Sequence, residues 1–315
     1  MAAAQSRLNL PHPSRLAITG GALLALAYAA LWFTVPYDFV LLGRLWFLSA
    51  VGVIGAVIAN ASGTGGGVVF VPVFNALHEL GVMRLDPLRV TAVSMGIQVF
   101  GMSLGALRWT DRLFHQPAHP PGDLHAPVST RDYWLVCGLV LVLSLPAMLF
   151  TQRHIEFDPR LILFGYKSFS IALGLALIVA TWTVNRNLPE RTALAPIDLA
   201  VLALIAIPGG AITALFSVGI GELVAFYLFL RHYPMLLAVG TACIVSSISM
   251  IAGIIWHIEA GTVQWEVVLL AAPGAMLGAF LARPVALWMG PRKLKTVGGI
   301  WIVLSALYLI GLNLD

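Results

Sequence analysis

The stretch Asn60-Ala-Ser-Gly-Thr-Gly-Gly-Gly67 interrupts an apolar run that extends from Leu45 to Leu77. A second apolar run, from Ile197 to Leu230, is interrupted in the same way by Ser217-Val-Gly-Ile-Gly-Glu222. Both runs are longer than the roughly 20 residues of one membrane-spanning helix. The apolar segment after each break rises ~1.5 Å per residue and reaches only about half of a ~30 Å hydrocarbon core. We therefore expect two re-entrant helical hairpins that enter the bilayer to its middle and return.

The composition of the chain is that of a membrane protein. Among its 315 residues, 59% are hydrophobic and 10% are charged, whereas soluble domains carry about a quarter charged residues. The net charge of +4 comes from Lys and Arg at the edges of apolar runs, so we expect a lipid bilayer and no nucleic acid as partner. Besides the two broken runs, the predicted spans are Leu16–Val35, Arg89–Trp109, Tyr133–Thr151, Leu161–Trp182, Met235–His257, Trp265–Met289 and Thr296–Leu312.

The distribution of basic residues predicts the orientation. If the N-terminus is inside and the hairpins do not cross, most Lys and Arg residues flank the inside ends of the spans, and the C-terminus is outside. Arg7 and Arg15 precede the first apolar run, which leaves a cleaved signal peptide open as an alternative. Because that run is longer than a typical signal core, we expect an uncleaved anchor.

The two halves of the chain match in order, although each match is short. If each half holds one hairpin and three crossings, an odd number, the second half is inserted upside down relative to the first. The aligned segments are Gly65-Gly66-Gly67 with Gly219-Ile220-Gly221, Val90–Ser94 with Ala238–Ala242, and Pro159-Arg160 with Pro291-Arg292.

The predicted fold is therefore an all-α polytopic membrane protein built as an inverted repeat. Residues 1–39 hold an extra N-terminal transmembrane helix, residues 40–183 form repeat unit 1 and residues 184–315 form repeat unit 2. Secondary transporters with inverted repeats bind their substrate between the units near the midplane, where broken helices expose backbone.

Clustered glycines at the two breaks are suited to binding an anion. Backbone N–H groups can approach a ligand there, and the positive end of the half-helix that follows favours negative charge. Close helix packing is the alternative role of such glycines. The candidate substrate-binding residues are Asn60, Ser62, Gly63, Thr64, Gly65, Gly66 and Gly67 in the first break, Ser217, Gly219, Ile220 and Gly221 in the second, and Gln98, Thr241 and Ser246 on helices that follow.

Glu222 and Lys167 are the two ionisable residues that we expect at membrane depth, where such residues are usually functional. Desolvation favours a protonated Glu222, which could then take up a proton together with the anion. Structural capping of the half-helix is the alternative for Glu222. Lys167 could be a counter-ion, or its ammonium could extend to the outer headgroups. We count both as candidates for coupling or gating.

Histidine and cysteine give no sign of a bound metal. Pro117, Pro120 and Pro121 separate His115, His119 and His125, so no single helix face can present the three histidines. Both cysteines lie in apolar segments away from other thiols or histidines. We therefore expect no metal and no cofactor.

Three motifs together resemble the TauE/SafE sulfite-exporter family, and the resemblance covers roughly residues 45 to 313. It implies a carrier, and an exporter in particular, of sulfur oxyanions and organosulfonates such as sulfite or sulfoacetate in the bacterial cytoplasmic (inner) membrane. The second break departs from the family's glycine pattern at Ile220 and carries Glu222. The motifs are Gly63-Thr-Gly-Gly-Gly67 with Pro72, Ala238-Val-Gly-Thr241, and the segment from Gly274 to Arg283.

Two other functions fit parts of the sequence. An anion channel could use the same scaffold, and an intramembrane serine protease would need Ser62 as nucleophile and His257 as base. The local sequence Asn60-Ala-Ser62-Gly63 lacks the preceding Gly of the usual protease signature, and a repeat gives no reason for a single nucleophile. We expect a transporter rather than an enzyme, a small anionic substrate as partner, and a homodimer as the assembly.

Overall fold

The computed structural model describes residues 15–83, 85–116, 126–154, 159–183 and 189–311 of the chain. These residues form α-helices and no strand. The helices are α1 (Arg15–Thr34), α2 (Phe39–Arg44), α3 (Leu48–Ser62), α4 (Gly67–Glu79), α5 (Pro87–Phe114), α6 (Thr130–His154), α7 (Pro159–Thr183), α8 (Pro196–Phe216), α9 (Ile220–Leu230), α10 (Met235–Glu259) and α11 (Trp265–Gly311).

Several of these helices can cross a bilayer. Within the described residues, six helices are long and apolar enough: α1, α5, α6, α8, α10 and the first part of α11, Trp265–Gly290. Helix α7 and the part of α11 beyond Gly290 cover the two remaining predicted spans. Gly290 separates the two parts of α11 with non-helical backbone (φ 73°, ψ 163°). The protein is thus an all-helical, multi-pass membrane protein, as the composition predicts.

Both predicted breaks interrupt the helices where the glycines cluster. Helix α3 ends at Ser62, and Gly63 follows with a φ of 75°, a left-handed conformation that favours glycine. The chain resumes as α4 at Gly67. Helix α8 ends at Phe216, and Ser217 adopts a φ of 56° before α9 begins. The sequence-based prediction of two broken segments is confirmed.

Small residues allow the long helices to pack closely. Helix α3 packs on α11, α8 packs on α6, and α5 lies between α10 and α11. A Cβ atom on Gly52 would overlap the carbonyl oxygen of Ala271, and one on Gly210 would overlap the carbonyl oxygen of Ser144. Glycine at these positions lets two backbones touch, which is the usual basis of helix association in lipid.

The start of α8 is held against the end of α9 by Asp198. Its buried carboxylate accepts hydrogen bonds from Tyr227 Oη at 2.6 Å, Arg231 Nε at 2.6 Å and the hydroxyl of Tyr233. Arg191 Nη1 lies 3.5 Å from the same carboxylate. These contacts hold the start of α8 beside the end of α9.

Candidate functional site

Gln98 of α5 joins the two breaks. Its Oε1 accepts a hydrogen bond from the backbone N–H of Gly66 at 2.7 Å. Its Nε2 donates to Ser217 Oγ at 2.7 Å, to the Ser217 carbonyl at 3.1 Å and to Ser94 Oγ at 3.1 Å. Only 1% of Gln98 is exposed. One buried side chain therefore connects the start of the first half-helix with the end of α8.

Glu222 lies at the same contact from the side of the second break. Its Oε2 accepts a hydrogen bond from the Gly219 N–H at 2.7 Å. Its Oε1 is buried and has no hydrogen-bond partner among the described residues. This oxygen faces Gly65, where an added Cβ would overlap it. The carboxyl group of one break therefore lies directly against the backbone of the other.

Side-chain oxygens occupy the backbone donors that the glycine pattern predicts for an anion. Gly66 N–H binds Gln98, Gly219 N–H binds Glu222, and Ile220 N–H donates to Thr213 Oγ1 at 2.9 Å. Each of these donors lies at the start of a half-helix, where an oxyanion is favoured. The three side-chain oxygens therefore lie where oxygens of a bound anion could make the same contacts.

Thr213 is a residue that the sequence-based reasoning missed. It lies in the last turn of α8, and its hydroxyl also donates to the Gly209 carbonyl at 2.8 Å. Its position in the sequence could have identified it. Thr213 lies four residues before Ser217, where the helix ends, and a hydroxyl in the last turn of a helix can cap the next segment.

Close contacts explain why the breaks contain so many glycines. A Cβ on Gly67 would overlap the carbonyl oxygen of Ser217, and one on Gly221 would overlap Ser246 Oγ. Around Gly63 the backbone of α10 comes within 3.1 Å of the Cβ position. The packing and ligand-binding roles of these glycines are therefore compatible, since the contact that needs glycine also brings the half-helix starts together.

The side chains of Asn60, Ser62 and Thr241 donate hydrogen bonds within their own helices. The Asn60 amide and the Ser62 hydroxyl donate to carbonyls one turn earlier in α3, at 2.9 and 2.7 Å. Ser62 Oγ also lies 2.7 Å from Thr64 Oγ1. Thr241 donates to the carbonyl one turn earlier in α10 at 2.6 Å. The side chain of Lys167 lies outside the described part of α7.

The structure does not pair Ser62 with a base. The ring nitrogen Nδ1 of His257 lies 2.9 Å from Thr262 Oγ1, at the end of α10, whereas Ser62 bonds within α3 and to Thr64. The protease alternative has no support in this geometry. Over the described residues, no group of three His, Cys, Asp or Glu side chains comes together to hold a metal; His119 and His125 lie outside them.

Together, the many apolar helices and the two buried breaks define a multi-pass membrane protein with the broken helices typical of transporters. The chain belongs to the TauE/SafE sulfite exporter family, since the profile described as "Sulfite exporter TauE/SafE" matches residues 48–309. That match includes both breaks and nearly the whole chain. Proteins of this family are membrane transporters, so this protein is a transporter and not an enzyme. No curated protein and no solved structure gives a significant match.

Proposed function

We propose that the protein is a secondary carrier that exports small sulfur-containing anions, such as sulfite, sulfoacetate or other organosulfonates. Substrate would bind between the two breaks. The observation that carries this proposal is the contact of the breaks through Gln98 and Glu222, because it gathers the donors of Gly66, Gly219 and Ile220 around buried polar groups.

Binding would exchange side-chain oxygens for substrate oxygens. An arriving oxyanion takes the N–H of Gly66 from Gln98 and the N–H of Gly219 from Glu222. The hydroxyls near the breaks can donate to the substrate as well, while Gln98 Nε2 keeps its hydrogen bonds to Ser217 and Ser94. The exchange replaces one set of hydrogen bonds with another, so it leaves no buried donor without an acceptor.

Proton coupling follows from the position of Glu222 in this proposal. An ionised carboxylate would repel an anion at the same contact, whereas a protonated one would not. When Glu222 is protonated, Oε1 could donate its hydrogen to the substrate or to the first break. The anion and a proton would therefore bind together.

The pairing of helices supports an inverted repeat with units 40–183 and 184–315. Exchanging the two units turns the contact of α3 with α11 into the contact of α8 with α6, and both contacts occur. The contact of α5 with α10 maps onto itself. We propose two re-entrant hairpins, α3–α4 and α8–α9, whose units rock against each other around the anion. The Asp198 contacts support a hairpin that returns to its starting side.

For the cellular arrangement, we propose a homodimer in the bacterial cytoplasmic membrane, with the N-terminus inside and the C-terminus outside. The basic residues at the predicted inside ends support this orientation. Cysteine accessibility to a membrane-impermeant reagent, with single cysteines introduced at each end of α10, would test it.

The substrate is tested first by thermal unfolding of the purified protein with sulfite, sulfate, thiosulfate, taurine and sulfoacetate, with acetate as control. A ligand at 100 times its Kd stabilises the folded state by about 2.7 kcal/mol. The proposal requires a sulfur anion to raise the unfolding temperature more than acetate does.

Flux in proteoliposomes then separates a carrier from a channel. A carrier gives saturable flux that internal substrate stimulates, whereas ohmic single-channel currents would refute the carrier. Equal stabilisation by every anion, acetate included, would contradict specific recognition of sulfur anions.

A further inference from the structure

A buried charged cluster lies between α5 and α11, apart from the two breaks. It contains Arg108, Asp111 and Arg283, which are 5%, 1% and 2% exposed. Arg283 Nη1 lies 3.3 Å from Asp111 Oδ2 and donates to the Arg108 carbonyl at 3.1 Å. The guanidinium of Arg108 lies over the ring of Phe280, 4.1 Å from its centre. His115 Nδ1 lies 3.4 Å from the other carboxylate oxygen.

Positive charge exceeds negative charge within this cluster. Among the described side chains of the cluster there are two guanidinium groups and one carboxylate, that of Asp111, which Arg283 and His115 both contact. The Nε atoms of Arg108 and Arg283 are both buried, and neither has a hydrogen-bond partner among the described residues. Burying a charged donor without an acceptor costs free energy. An additional anion would supply the missing acceptor and balance the charge.

The cluster adjoins the central contact along α5. Gln98 and Arg108 are ten residues apart on this helix, which corresponds to ~15 Å. Between them, Gly105 packs against the side chain of Asn60, and Trp109 Nε1 donates to the Asn60 carbonyl at 2.9 Å. The end of α3 therefore connects the two regions. In the proposed orientation, the cluster lies on the inside of the central site.

We propose that Arg108 and Arg283 form a second anion site that binds a small oxyanion on the inside, before it reaches the breaks. Planar guanidinium groups match the spacing of sulfonate, sulfate or phosphate oxygens and bind them more strongly than neutral donors do. That the bound anion is the transport substrate rests on the proposed function. The existence of the second site rests only on the arginine cluster. A phosphate of an anionic lipid headgroup offers the same chemistry.

The test is calorimetric titration of the full-length protein with sulfate, in nanodiscs of phosphatidylcholine. Two binding events per chain are expected for the wild type. Arg283→Gln should weaken one event at least tenfold and leave the other unchanged, and Arg108→Gln should do the same. Arg283→Lys, which keeps the charge, should lose less affinity. Arg131→Gln is the matched control, because Arg131 is an exposed arginine at the start of α6.

Nanodiscs of phosphatidylglycerol distinguish the two sources of the oxyanion. If lipid phosphate fills the site, sulfate shows one event in these discs, and native mass spectrometry detects a retained lipid that Arg283→Gln loses. If free sulfate fills it, both events persist and no such lipid is retained.

Binding at the cluster and binding at the breaks can fail independently. Gly66→Val should abolish sulfate binding at the breaks and leave sulfate binding at the cluster unchanged. The second site is refuted if titration in either lipid shows a single binding event that both arginine variants retain and Gly66→Val removes. A single event that only the arginine variants remove would instead refute substrate binding at the breaks. Unfolding temperatures close to that of the wild type show that the variants are folded, and Arg283→Lys provides the comparison if Arg283→Gln is not.

Discussion

Replacing Gln98 with leucine separates the role of this residue in stability from its role in substrate binding. Leucine is similar in size but makes none of the four hydrogen bonds of the amide. The Gly66 N–H and the Ser217 carbonyl would be left buried and unpaired, at ~1–3 kcal/mol each. We expect a loss of about 3 kcal/mol in the free energy of unfolding. At ~2 °C per kcal/mol for a large chain, the unfolding temperature should fall by about 6 °C.

The same substitution should tighten anion binding. In the wild type, the anion must displace Gln98 Oε1 from the Gly66 N–H, which costs one hydrogen bond of about 1 kcal/mol. In Gln98→Leu that N–H is vacant, so the affinity for sulfite should rise about fivefold, because 1.4 kcal/mol corresponds to tenfold.

Titration calorimetry measures the affinity, and thermal unfolding with and without sulfite measures the stability. Gln152→Leu is the matched control, since Gln152 is also a buried amide but bonds to the Gly253 carbonyl, away from the breaks. The control should lose stability and keep the wild-type affinity. A folded Gln98→Leu protein that binds sulfite no more tightly than the wild type would refute anion binding at Gly66.

Three further substitutions test other parts of the site. Glu222→Gln should make sulfate flux independent of pH, whereas wild-type flux should rise as the pH falls, by at most tenfold per pH unit for one proton. A variant whose pH profile is identical to that of the wild type would rule out coupling through this carboxyl. Gly221→Ala should weaken anion binding at least tenfold because its methyl group overlaps Ser246 Oγ, and adding Ser246→Ala should restore much of the affinity; no restoration would place the damage elsewhere. Asp198→Ala should lower the unfolding free energy by about 3 kcal/mol, because Tyr227 and Arg231 lose their acceptor and Tyr233 keeps only its hydrogen bond to the Ala193 carbonyl. The loss should be about 1 kcal/mol for Asp86→Ala, at an exposed helix cap; equal effects would argue against a structural role of the Asp198 contacts.

The sequence predicted the helices and the breaks because both depend on local chemistry. Apolar runs define membrane-spanning helices by length alone, and the clustered glycines at the two breaks favour the end of a helix. The predicted ends of the long spans lie within a few residues of the observed ends. The short helix α2 (Phe39–Arg44) was not predicted, because six residues carry too little periodic signal.

Contacts between distant segments could not be predicted in the same way. The pattern identified Gln98 and Ser217 as separate candidates, but the hydrogen bond between them depends on how α5 and α8 pack. Thr241 and Asn60 looked equally suitable from their position near the breaks, yet the side chains of both donate within their own helices. A hydroxyl or amide in a helix can always bond one turn back, so residue type alone does not reveal its direction.

The two halves of the central contact use neighbouring positions of the aligned segments, with different chemistry. At an offset of 148 residues Gln98 corresponds to Ser246, and at an offset of 154 Glu222 corresponds to Val68. Gln98 lies against Gly66, whereas Ser246 lies against Gly221, which aligns with Gly67. In the first unit the long polar side chain comes from α5, and in the second it comes from the half-helix itself. Because only the second of these side chains is ionisable, the proposed coupling through this contact would move one proton per anion.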